Sequence, residues 1–247
     1  MILKKNYQSF YIFNVIGLTI TGLLFVWLSN NGTIDFWITK HFYDDELHIF
    51  SFQNSKFLES IGHKFLKDLT ACILIVGILL SIASYVIAAL RPLRRPLIGF
   101  CVMAIASALF ISYLKSISIH SCPWDLQMYG GQAKWFPLFS GFLTANSQGH
   151  CWPGGHASGG FALIAGYFSF REYRPHLASA FLFSGFLFGS LMSFVQIVRG
   201  AHFLSHNLWT LWFIWTICLV IDGIFRLICL LQKNSPSLNE RLHKFSS

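Results

Sequence analysis

Two short strings carry side chains suited to handling an anion. They are Trp152-Pro153-Gly154-Gly155-His156 and Arg199-Gly200-Ala201-His202-Phe203-Leu204-Ser205-His206. In the first, proline suits the opening position of a helix, and the glycine pair lets backbone approach a ligand closely. A helix start offers unpaired N–H groups and a positive dipole end, so Gly154 and Gly155 predict a phosphate-binding backbone with His156 one turn in. In the second, Arg199, His202 and His206 fall at i, i+3 and i+7 and would share one helical face. Lys115 closes another apolar stretch and adds a third cation. A phosphate ester under attack needs cations for its nonbridging oxygens, an in-line nucleophile, and an acid for the leaving oxygen. These residues supply all of that without a metal or any other cofactor.

Each string also has a plainer reading. A Gly-Gly start can serve tight helix packing, and Lys115 or Arg199 can snorkel at a membrane boundary. His202 and His206 have the i, i+4 spacing of a metal pair, but the string His-Phe-Leu-Ser-His lacks the glutamate of His-Glu-x-x-His. A metal hydrolase built on His150, His156, His202 and His206 is the corresponding alternative. Polar groups clustered at the end of an apolar span are costly, however, and point to function by default.

The elements that must position them are membrane helices. The chain of 247 residues is 54% hydrophobic and only 11% charged, well below the roughly 25% charge of a soluble domain. Six segments have about the 20 apolar residues needed to cross a bilayer. They are Phe10–Leu28, Leu69–Leu90, Leu97–Ile119, Pro153–Phe170, Leu177–Val198 and Leu208–Leu231, the fourth being short and glycine-rich. The expected fold is all-α: one bundle of six transmembrane helices over residues 1–233, with a polar cytoplasmic tail over 234–247. The first segment lacks a small-residue cleavage site and reads as a retained span. Lys4, Lys5, Arg91, Arg94, Arg95, Arg171, Arg174, Lys233, Arg241 and Lys244 all fall on one side. The positive-inside rule puts that side, and both termini, in the cytoplasm. Lys115, His156 and His202 then converge on the external face, between external loops at about 29–68 and 120–152.

The net charge of +8 sits largely on the cytoplasmic face, where it suits anionic headgroups. No basic patch on a soluble face and no recognised module supports nucleic-acid binding. Cys72, Cys101, Cys218 and Cys229 lie within apolar spans as packing residues. Cys122 and Cys151 bracket the second external loop, and in an oxidising compartment they can form a disulfide; two free thiols are the alternative. Phe36-Trp37-Ile38 and Phe57-Leu58 in the first external loop fit interfacial helices.

In these residues the chain resembles the type-2 phosphatidic acid phosphatase family, which is related to vanadium haloperoxidases. That family carries Lys, six residues, Arg-Pro; then Pro-Ser-Gly-His; then Ser-Arg, five residues, His, three residues, Asp. The corresponding strings here are Lys115 with Cys122-Pro123, then Pro153-Gly154-Gly155-His156, then Val195-Gln196 with His202 and His206. Order, spacing and topological side agree over most of the chain. The resemblance implies that His202 is the nucleophile of a phosphohistidine intermediate, that His156 is the acid for the leaving oxygen, and that Lys115 with Gly154 and Gly155 holds the phosphate.

The chain departs from the pattern at four places. Cys122 and Gln196 replace the two arginines, Gly154 replaces the serine, and His206 replaces the carboxylate that orients the nucleophile. Arg199 lies three residues beyond Gln196, roughly 4.5 Å along a helix and about 60° around it, and is expected to reach the same phosphate. His206 is expected to accept a hydrogen bond from His202, with Asn207 or Asp125 as substitutes. The expectation is thus a divergent lipid phosphatase of the bacterial inner membrane, a multi-pass hydrolase with its site facing the periplasm. Its partner is a phosphorylated lipid: phosphatidic acid, phosphatidylglycerol phosphate, undecaprenyl diphosphate or lipid A. A lipid phosphotransferase, or a non-catalytic lipid-phosphate binder or transporter on the same scaffold, is the alternative.

Overall fold

A computed structural model describes residues 2–139 and 149–234; the polar tail expected over 234–247 lies, past its first residue, outside the described residues. In hydrocarbon every backbone polar group must be satisfied within its own segment, so long apolar runs fold as helices. The chain forms α1 (Ile2–Asn31), α2 (Thr33–Lys40), α3 (Lys56–Leu58), α4 (Leu66–Ala83), α5 (Arg94–Ser116), α6 (Gly155–Phe161), α7 (Ile164–Phe170), α8 (Pro175–Val198) and α9 (Leu204–Asn234). About 75% of it is helical, and the one named sheet pairs β1 (Tyr43–Asp44) with β2 (Ile49–Phe50). The architecture is all-α. Helices α1, α4, α5, α8 and α9 are each long and apolar enough to cross a membrane.

The segment expected as the fourth span, Pro153–Phe170, is instead a broken pair of seven-residue helices, α6 and α7. Its glycines weaken a continuous helix. The break is tolerated because the pair is enclosed by α4, α5, α8 and α9, with Ala157, Ile164 and Ala165 fully buried. Close packing comes from small residues: Gly185 and Gly189 of α8 are four apart, and a side chain on Gly189 would strike Phe161. Spacing of this kind lets helix backbones approach. The outer faces carry lipid-type surface, with Phe13 74% and Val86 82% exposed.

The two ends of the bundle differ. At the end holding the α1 N-terminus, Asp222 of α9 receives Arg171 Nη2 at 2.6 Å and Arg226 Nε at 3.0 Å. Tyr11 also donates to Asp222, Arg226 pairs with Glu172, and Tyr7 donates to Glu172. Arg171 stacks over Phe10. Within this cluster Asp222 and Glu172 balance Arg171 and Arg226, which ties α1 and α9 to the C-terminal end of α7. At the opposite end, Trp152 packs edge-on against Trp209 and Phe213, and Trp209 packs edge-on against Phe25, beneath the two long loops.

Candidate functional site

Helix α8 stops because Gly200 adopts φ 74, a left-handed backbone that costs glycine little. The Gly200 N–H then reaches Ile197 O, and the N–H groups of Ala201 and His202 both reach Gln196 O. The chain reverses within this turn and enters α9 at Leu204. His202 therefore sits in the turn, while His206 lies in the first turn of α9. The expected single helical face for Arg199, His202 and His206 does not form, because Arg199 ends one helix and His206 begins the next. The two imidazoles still meet, with ring centroids 5.9 Å apart.

The Pro-Gly-Gly-His string is pinned to this same helix start. Gly154 N–H donates to His206 O at 3.1 Å, and Thr210 Oγ donates to Gly154 O at 3.0 Å. A Cβ at Gly154 would collide with Asn207 Oδ1, so glycine here permits contact between α6 and α9. This corrects the phosphate-binding role expected for Gly154, whose N–H is already committed to protein. His156, in the first turn of α6, brings its ring centroid to 6.1 Å from that of His202. Lys115, in the last turn of α5, extends to Gly155: its Nζ lies 3.5 Å from where a Gly155 side chain would begin. Lys115, His156, His202 and His206 thus converge at one end of the bundle from α5, α6, the α8–α9 turn and α9.

Electrostatics keep His202 neutral. It is 2% exposed, and burial, followed by the positive charges of His206, Lys115 and His156, holds it well below the ordinary histidine range. Its Nδ1 faces protein. The Cys151 sulfur lies 3.3 Å away, and the Cys151 carbonyl is a hydrogen-bond partner of both His202 and His206. Cys151 is disulfide-bonded to Cys122, with Cα atoms 5.2 Å apart. A disulfide sulfur has no proton, so the ring must donate; Nδ1–H then leaves the other nitrogen, Nε2, with its lone pair. Cys122, Cys151 and His202 also form a close group of metal-ligand types, but the two sulfurs are spent on each other. The set of His150, His156, His202 and His206 does not gather as a ligand group. His150 is exposed, with Nδ1 on the Lys115 carbonyl.

Other sequence expectations are corrected. Arg199 Nε donates to Gln53 O at 3.2 Å, so its guanidinium serves the loop between α2 and α3 rather than the charge cluster around His202. Asn207 Nδ2 bonds Phe203 O while its oxygen abuts Gly154, so it does not orient His202. Asp125 is exposed and accepts Trp124 Nε1. Two contributors escaped the sequence reading. The Cys151 carbonyl is backbone and leaves no sequence signal. Asp35, buried in α2, accepts Ser205 N–H and Oγ–H at the start of α9; a lone acid among Ile34, Phe36 and Trp37 was its available trace.

Compared with known protein families, characterised proteins and solved structures, the chain matches none. The chemistry of the site must therefore carry any functional reading.

Proposed function

We propose that this chain is an integral-membrane lipid phosphatase, a divergent relative of the type-2 phosphatidic acid phosphatases. Its site would face the periplasm of a bacterial inner membrane, and both termini the cytoplasm. The observation that carries this reading is the meeting of His156, His202 and Lys115 at one end of an apolar bundle. A neutral buried imidazole, a second imidazole 6.1 Å away and an ammonium beside them match the needs of phosphoryl transfer. The arginines concentrated at the other end support the orientation.

In this mechanism Lys115 Nζ holds nonbridging oxygens of the lipid phosphate. His202 Nε2 attacks phosphorus, its ring oriented by Nδ1–H donation to Cys151. As the P–N bond forms, the P–O bond to the lipid breaks, and His156 gives that oxygen its proton. His156 then takes a proton from water as the water oxygen attacks the phosphohistidine, which restores His202 and releases inorganic phosphate. A backbone carbonyl stands where the related family uses a carboxylate, so it stabilises the charged ring less and predicts a modest turnover. The apolar outer surface of the bundle suits a lipid better than a soluble ester.

The test is release of inorganic phosphate by purified protein in mixed micelles. The panel is phosphatidic acid, phosphatidylglycerol phosphate, undecaprenyl diphosphate and lipid A, each with and without chelator. Release from at least one lipid that persists with chelator supports the reading. No release from any of the four overturns it.

A further inference from the structure

Asp35 takes no part in the mechanism above, yet it is 5% exposed and lies against the helix start that carries the histidines. Its Oδ1 accepts the Ser205 N–H at 2.9 Å, its Oδ2 accepts the Ser205 Oγ–H at 2.5 Å, and Leu204 N–H adds a third bond. Leu204 and Ser205 are the first two residues of α9 and lie between His202 and His206. A carboxylate at this place satisfies N–H groups that a helix start leaves open and complements the helix dipole. Here the acid comes from 170 residues earlier in the chain.

Asp35 and His206 also line one small cavity with His120, Lys134 and Ser205. The cavity has room for one water held by polar neighbours. His206 Nδ1 is buried and has no hydrogen-bond partner among the described residues. A buried acceptor left unmet is costly, and a single water between it and the carboxylate removes that cost.

We propose that Asp35 is a positioning residue for this site, holding the first turn of α9 so that His202 and His206 share the Cys151 carbonyl, and reaching His206 Nδ1 through one water. The proposal rests on the phosphatase reading above. Asp35 makes no bond to phosphorus. Its negative charge offsets the cation that forms on His202 when the P–N bond is made.

Ionisation of Asp35 then becomes visible in turnover. Burial pushes its carboxyl up to about 6, against the opposing pull of its bonds to Ser205 and Leu204. The ionisable groups around it are His206 from α9 and His120, Tyr129 and Lys134 from the second external loop. From β1, Tyr43 packs on Tyr129, and α1 brings the uncharged Ser29. Activity should rise as pH passes through about 6 and Asp35 gains its charge.

The experiment measures phosphate release against pH for wild type, Asp35→Asn and Ser205→Ala, alongside ¹⁵N-histidine spectra in nanodiscs. Asp35→Asn should lower kcat about 30-fold with KM within twofold, and abolish the limb near pH 6. Ser205→Ala should keep the limb but move it to higher pH, because the hydroxyl bond that favours the carboxylate is gone. Wild-type kcat and pH profile in both variants overturns the proposal, and should Asp35→Asn fail to fold, an unmoved limb in Ser205→Ala does so alone. If wild type releases phosphate from no lipid, the phosphatase reading fails, and the spectra decide the positioning role. His202 and His206 signals that shift in Asp35→Asn, with exposed His176 unmoved, sustain it; unchanged signals refute it.

Discussion

The Cys151 sulfur lies 3.3 Å from His202 Nδ1, so the disulfide of the loop between α5 and α6 is part of the wall that orients the candidate nucleophile. Breaking it by Cys122→Ser should have two effects. Loss of a cross-link spanning 29 residues removes about 3–4 kcal/mol of stability on the chain-entropy account. Loosening of the Cys151 carbonyl should lower kcat about tenfold while KM holds. Thermal melts in detergent and steady-state phosphate release check the two. Thiol labelling before and after reduction establishes the bridge itself.

Arg199 provides a discriminating negative. Its sequence position offers a replacement for a phosphate-binding arginine, but its Nε is committed to the Gln53 carbonyl. Arg199→Lys should therefore change kcat/KM less than threefold and cost about 1 kcal/mol of stability at most. A hundredfold loss of activity in Arg199→Lys would show that this side chain turns to the substrate.

Gly154 and Asn207 form a pair. Gly154→Ser introduces the residue type found at this place in the family the sequence resembles, yet its Cβ would collide with Asn207 Oδ1. Overpacking of this kind costs about 1–3 kcal/mol. Asn207→Ala should be nearly neutral alone and should rescue Gly154→Ser. A double-mutant cycle on chemical unfolding reads the coupling directly, with an interaction energy of about 1 kcal/mol or more expected.

The stability of the fold should fall on acidification through His120. Burial pushes this imidazole down to about 4, against a hydrogen bond to Leu138, while the unfolded chain keeps the ordinary value of about 6.5. Between these values the unfolded state binds the additional proton, so the His120 contribution is complete above pH 6.5 and is lost as pH falls towards 4. Asp35 tilts the same window the other way, since its folded value of about 6 lies above the ordinary carboxylate. The difference between proteins isolates His120: from pH 7 to 5, wild type should lose more stability than His120→Gln.

Much of this arrangement was legible in the sequence, for definite reasons. Hydropathy marks six segments, five of which are helices long and apolar enough to cross a membrane, because that signal is uniform along each of those five. Lys115, His156 and His202 stand out because polar groups at the ends of apolar runs are costly. What sequence could not supply was direction. Gly200 reverses the chain between Arg199 and His202, so helical spacing across that point misleads. Gly154 looked like a ligand-facing glycine, but its contact is with Asn207 on a helix some 50 residues later. Asp35 reaches Ser205 through tertiary packing alone, and the Cys151 carbonyl belongs to the backbone. The break between α6 and α7 likewise depends on enclosure by neighbours, which no single segment reveals.

The most direct test of the central claim is to trap the intermediate. Purified protein turning over its lipid substrate would be quenched in alkali, where a P–N bond survives, and mapped by mass spectrometry. The account predicts phosphate on the peptide containing His202, acid-labile and lost in His202→Ala together with all turnover. Turnover undiminished in His202→Ala, with no phosphate on that peptide in wild type, would contradict it.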